Sequence, residues 1–168
     1  MKSLKHKVDE FLLKEIGIIP IISSYVIHTD YEAYCKKFQR DPKSESFFAV
    51  RGLVSHLRAD SPSLAQNFLH EHYGHGLFCE YSKTGRRLWQ YEQDLAGLEK
   101  QLLGVDKLPE DVVLNVSAHH PLIPDYLKLK KESERFFLEN LDKYEGFAYW
   151  IEAWLGKKFN CGRGKFHN

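Results

Sequence analysis

Apolar residues recur along most of this chain at three- and four-residue intervals, the spacing that puts them on one face of an α-helix. Between Ser3 and Glu15 the stripe is Leu4, Val8, Phe11 and Leu12, and Gly17 and Pro20 end it. Thr29 or Asp30 offers an N-cap for a helix carrying Tyr31, Tyr34 and Phe38. From Ser44 to Arg58, Phe47, Val50, Val54 and Leu57 repeat at the same interval and predict another helix. Ser61-Pro62 supplies a cap candidate followed by a proline whose missing N–H costs nothing in the first helical turn. The helix it opens should run to about Ser82. Arg86 to Leu103 carries Leu88, Tyr91, Leu95, Leu98 and Leu102, closed by Gly104. Asp125–Asn140 and Leu141 to about Lys158 complete the set, with Pro109, residues 111–116 and the tail after Asn160 left as connectors. No stretch alternates convincingly at period two. The expected fold class is all-α, a single-domain bundle of six or seven helices over residues 1–168.

Composition narrows the functional classes more than it names one. Twenty-four Lys and Arg against 23 Asp and Glu leave a formal charge of +1, without the basic excess on which nucleic-acid binders rely. A 43% hydrophobic fraction supports a packed core in a chain of 168 residues. The longest apolar run, Ile16 to Ile22, is interrupted by Gly17 and Pro20 and falls far short of the ~20 residues of a membrane span. The charged opening MKSLKHKVDE does not read as a signal peptide, so a cytoplasmic protein is expected. Cys35, Cys79 and Cys161 form neither a CxxC pair nor an even-numbered disulfide framework.

The chemistry concentrates in NFLHEHYGHGLF. Its helical seam runs Leu64, Phe68, Glu71, His75 and Phe78, so a carboxylate and an imidazole four apart point inward among apolar neighbours. A buried carboxylate needs a compensating partner. A metal ion is one, and this donor pair suits iron, manganese or zinc. A hydrogen-bonded core pair is the alternative. His72, three before His75, can replace or join Glu71, whereas His70 lies furthest round the helix and is the least expected ligand. A zinc-protease HExxH motif spaces its histidines four apart. Here Gly74 occupies that place and His75 comes one residue late, so the sequence does not match that motif. On the last helix, Leu141, Glu145, Ala148, Glu152 and Leu155 share a seam. Glu145, with small Ala148 beside it, can reach a shared ion, and Glu152 is its understudy. An exposed face for both carboxylates is the competing reading.

The block LAQNFLHEHYGHG, followed by LGVDKLPEDV and KYEGFAYWI, resembles the iron-containing redox enzymes of the heme-oxygenase-like superfamily. That group includes the chlamydial death-domain-associating protein, thiaminase-like proteins and pyrroloquinoline-quinone synthase. The resemblance spans roughly residues 45–155. It implies a metal site with Glu71, His75 and Glu145 as ligands, His72 standing where the family has a second acid. It further implies an iron or iron/manganese pair that activates O₂ to oxidise a small organic substrate, with Tyr73, Tyr91 or Tyr149 able to supply a proton or electron. The family's last ligand-bearing helix has no counterpart before Asn168, and a homodimer burying the Trp150–Leu155 face is one way to supply it. The reading is therefore an O₂-using oxidoreductase. A non-catalytic bundle that binds a ligand or protein partner is its alternative, and a single-zinc hydrolase a third possibility.

Other features carry less. His119-His120 reads as an exposed break, Lys128–Arg135 as a solvated helix face, and Gly162–Lys165 lacks the spacing of a phosphate loop. Cys79, four after His75, has no third group to complete a nucleophile pair.

Overall fold

A computed structural model describes residues 1–38, 41, 43–108, 116–117 and 119–161 of the chain. Helix α1 (Lys2–Glu15) buries Val8 and Leu12. The chain then turns through Gly17, which sits at φ +74°, into strand β1 (Ser24–His28). Asp30 caps helix α2 (Tyr31–Lys37) by accepting from the Ala33 amide. Strands β2 (Ser46–Ala49) and β3 (Val54–Arg58) follow.

These three strands form one sheet in the order β1-β3-β2, with β1 parallel to β3 from Ser24↔Val54 to His28↔Arg58, and β2 antiparallel to it. The helix expected over Ser44–Arg58 is therefore a strand pair, and the fold is mostly helical but not all-α. The reason lies in β3. Its buried positions are Ser55 and Leu57, a true period-two alternation. A serine in the interior hid that alternation behind the chance helical spacing of Phe47, Val50, Val54 and Leu57.

The remaining helices lie where the apolar spacing put them. Helix α3 (Leu64–Phe68) continues without a break through a π-helical segment (Leu69–His75) into α4 (Gly76–Tyr81). Ser82 caps α5 (Lys83–Leu103) by accepting from the Gly85 amide, and Gly104 closes that helix in the left-handed region. Helices α6 (Ile123–Glu139) and α7 (Leu141–Phe159) complete the chain. Pro109, residues 111–115 of the expected connector and the Gly162–Lys165 tail lie outside the described residues.

One core joins α1, β3, the π segment and α7 through Val8, Leu12, Leu57, Phe68, Leu69, Tyr73, Leu77, Ile151 and Leu155, all within 1% of complete burial. A second cluster places Phe78, Cys79, Leu88 and Tyr144 around Leu53. The π segment and α7 meet backbone to backbone. A Cβ added at Gly74 would lie 2.6 Å from the Ala148 Cα, so only glycine permits this approach. Among the described residues, no helix is long and apolar enough to cross a membrane.

Candidate metal centre

Five residues of regular α-helix advance the chain by about 500°, leaving side chains at i and i+5 about 140° apart. A π-helix hydrogen-bonds i to i+5 and brings those positions back onto one face. The stretch LHEHYGH is π-helical, and His70 and His75 accordingly face the same way, with ring centroids 4.8 Å apart. The extra residue that removes this chain from the HExxH pattern is absorbed by the wider turn.

Opposite them, α7 presents Glu145. His70 Nε2 is 3.6 Å from Glu145 Oε2, and His75 Nε2 is 3.9 Å from Glu145 Oε1. One ligand atom from each of His70, His75 and Glu145 lies within 4.8 Å of the others, a group that can hold a metal ion. The close approach at Gly74 and Ala148 is what brings α7 near enough for this.

The surrounding residues orient the trio. His70 Nδ1 pairs with Glu152 Oε2 at 3.0 Å, and the other Glu152 oxygen accepts from Gln66 Nε2 at 2.9 Å. This carboxylate–imidazole contact fixes which His70 nitrogen faces Glu145, as outer-sphere carboxylates do at metal sites. His75 is stacked on Tyr144, centroids 3.9 Å apart and rings 17° from parallel. Its Nδ1 is buried and has no hydrogen-bond partner among the described residues.

Glu71 is 6% exposed and stands beside the trio. Its Oε1 accepts from Ser46 Oγ on β2 at 2.8 Å, and its Oε2 is 3.9 Å from His75 Nε2. Burial lifts its pKa to about 7, with the nearby Glu145 and Glu152 charges adding to the rise against the lowering effect of His70 and Ser46. Burial, helped by the His70 charge, pulls His75 down to about 3, so its imidazole is neutral and ready to ligate. Burial also opposes charge on His70, but hydrogen bonds to Glu145 and Glu152 outweigh it and raise that group to about 9.

Of the four ligands expected from the sequence, the structure brings His75 and Glu145 into the trio. Glu71 lies against it rather than in it. His72 points elsewhere: it is fully buried, stacked on Phe68 (5.1 Å, 14°) and edge-on to Tyr25. His70, the least expected of the cluster, takes the place assigned to His72, because the π turn rotates it onto the ligand face. The signal in the sequence was Gly74, a helix-weakening residue inside HEHYGH that marks both the irregular turn and the close approach to α7.

A cavity of about 490 Å³ opens beside His70. His70 and Glu71 line it together with Glu45, Ser46, Tyr149 and Glu152. Two imidazoles and one carboxylate form the ligand set of His₂Glu zinc hydrolases. The same set is the facial triad of mononuclear iron oxygenases. No family model, curated protein or solved structure matches this chain.

Proposed function

We propose that this protein is a single-zinc hydrolase that cleaves an amide bond, with His70, His75 and Glu145 as the metal ligands and Glu71 as the general base. The observation that supports the reading is the π turn: it turns two histidines toward a group that can hold an ion and leaves the glutamate that follows the first beside them, which matches the division of labour of a zinc-protease helix. The donors fit the ion, since a neutral, buried imidazole and a carboxylate are what zinc takes, and His70 carries its own orienting carboxylate. When bound there, zinc polarises a carbonyl and acidifies a water.

The chain's own work is proton transfer. Glu71, buried and held at Oε1 by Ser46, has a pKa close to working pH, where a general base is most effective. Its Oε2 takes a proton from the attacking water as the new C–O bond forms. It then returns that proton to the nitrogen as the C–N bond breaks, so atoms balance with water as the only co-substrate.

A second reading keeps the O₂-using oxidoreductase suggested by the family resemblance, in mononuclear form, because the same trio suits ferrous iron. Metal content and reaction separate the two. Untagged protein analysed for zinc, iron and manganese is expected to hold close to one zinc per chain and to cleave peptide amides. His75→Ala should lose the metal. Glu71→Gln should keep the metal and lose ~10²-fold or more in turnover, as removal of a general base does. Iron with O₂ uptake and no peptide cleavage would establish the second reading. Protein that takes up none of the three metals would leave the non-catalytic bundle.

A further inference from the structure

A second cavity, of about 600 Å³, opens between the first turns of α5 and the end of α6. That volume is in the range of small-ligand sites. Its lining shares no residue with the trio or with the cavity beside His70. Lys83, Arg86 and Arg87 line it from α5, with Phe136 and Asn140 on the opposite side.

Three cations within five residues call for counter-charge, and the nearby carboxylates are engaged elsewhere. Glu80 accepts from the backbone amides of Ile21, Ile22 and Ser23, and Glu92 pairs with Arg51 at 3.1 Å. Asp94 accepts from the Gln90 amide at 2.7 Å, and Glu139 pairs with Arg135 at 3.9 Å. Among the described residues, the lysine and arginine ion pairs belong to Lys5, Arg51, Arg58 and Arg135. Lys83, Arg86 and Arg87 therefore pair with no carboxylate there. Lys143 brings a fourth cation to the rim, donating from Nζ to Asn140 Oδ1 at 2.9 Å. A concave surface lined by one sign of charge concentrates ligands of the other sign.

The cationic side is also anchored to an aromatic one. The Arg87 guanidinium lies 4.3 Å from the centre of the Tyr91 ring, a cation–π contact that holds the group through its face. Its N–H edge stays available for the two-pronged recognition of an oxyanion at which arginine excels. Tyr91 in turn packs on Phe136, centroids 5.5 Å apart, so an apolar ring stands beside the charges. We propose that this cavity binds a small organic phosphate, its phosphoryl oxygens among Lys83, Arg86 and Arg87 and its apolar body on Phe136. The site is independent of the chemistry at the trio.

Calorimetric titration of chelator-treated protein at neutral pH with phenyl phosphate, inorganic phosphate, benzoate and phenol tests both halves. Chelator keeps the anions off any metal held by the trio. Phenyl phosphate should bind about tenfold more tightly than benzoate, because a dianion gains more than a monoanion from several cations. It should bind about threefold more tightly than inorganic phosphate, through the ring buried on Phe136. Phenol should not bind. Arg86→Gln and Arg87→Gln, both at exposed positions, should each weaken phenyl phosphate about fivefold or more. Phe136→Leu should weaken phenyl phosphate and leave inorganic phosphate unchanged. Lys128→Gln, an exposed α6 cation outside the lining, should change affinity less than about twofold, because a solvated charge at a distance is screened. No binding of phenyl phosphate, or phenol binding as well as its phosphate, overturns the proposal. So does benzoate binding as tightly as phenyl phosphate, which would make the site one for carboxylates. Phenyl phosphate binding that both arginine variants retain, or that Lys128→Gln weakens as much as they do, rejects this cavity as its place.

Discussion

Glu152 shows how one residue shapes the site without belonging to the trio. Its contact with His70 Nδ1 orients that ring and, after the larger effect of the Glu145 hydrogen bond, helps to raise its pKa to about 9 in the metal-free protein. An entering metal must displace the ring's extra proton, so zinc affinity should fall about tenfold per pH unit as pH drops below 9. Glu152→Gln should weaken zinc binding ~10–100-fold. In the metal-free variant, the His70 ring resonances should titrate at lower pH than in the parent. A His70 titration left unmoved by the substitution would remove Glu152 from this role.

His72 makes a different prediction. Burial, with Lys5 adding to it, lowers its pKa from 6.5 to about 4, against the opposing effect of Asp9, Glu80 and the Ser24 backbone. Between those pH values the unfolded chain binds a proton that the native state does not, so stability is lost as pH falls from 6.5 toward 4, by roughly 3 kcal/mol over the full window. In chelator, denaturant titrations of His72→Gln should show a shallower pH dependence across this window than the parent. Equal slopes would refute the assignment.

At the scale of elements, the contact between the π segment and α7 governs everything else. Gly74 leaves no room for a methyl group against Ala148. Gly74→Ala is therefore expected to cost ~1–3 kcal/mol, as overpacking of a tight core does. It should also push Glu145 away from the histidines. The check is paired: the denaturation midpoint should fall, and zinc affinity should fall in the folded variant. Gly97→Ala, at a position inside α5 where an added Cβ meets nothing within 4 Å, serves as the control: zinc affinity should hold and the midpoint should not fall, alanine being favoured over glycine within a helix by ~1 kcal/mol.

For the molecule as a whole, zinc should act as a stabilising ligand. The site draws on the central helix and α7, which pack in one core, so the ion would bind the folded chain alone. At a free zinc concentration a hundredfold above Kd, mass action adds ~2.7 kcal/mol. For a chain of this size that is a rise in Tm of about 5–11 °C. Chelator should reverse the shift, and His75→Ala should not respond. A Tm indifferent to zinc in the parent would count against the centre.

The sequence by itself determined the helices, because their apolar faces repeat over several turns and their ends carry local signals. Asp30 and Ser82 each accept a hydrogen bond from a nearby amide through a side-chain oxygen, and Gly104 supplies a left-handed residue. It also determined that Glu71 and His75 turn inward between Phe68 and Phe78, since α-helical spacing alone aligns residues four apart. Only the tertiary structure decided the sheet, where pairing with β1 and β2 buries Ser55. It alone decided the metal centre too. Whether a seven-residue stretch winds as α or π is a small local difference, and here it accompanies the packing of Gly74 on Ala148. That choice carries His70 onto the ligand face, leaves His72 in the apolar core, and gives Glu71 to proton chemistry in place of ligation. Helix periodicity is a local property of the chain. The meeting of two imidazoles and a carboxylate depends on a backbone contact between residues 74 and 148, which no local pattern records.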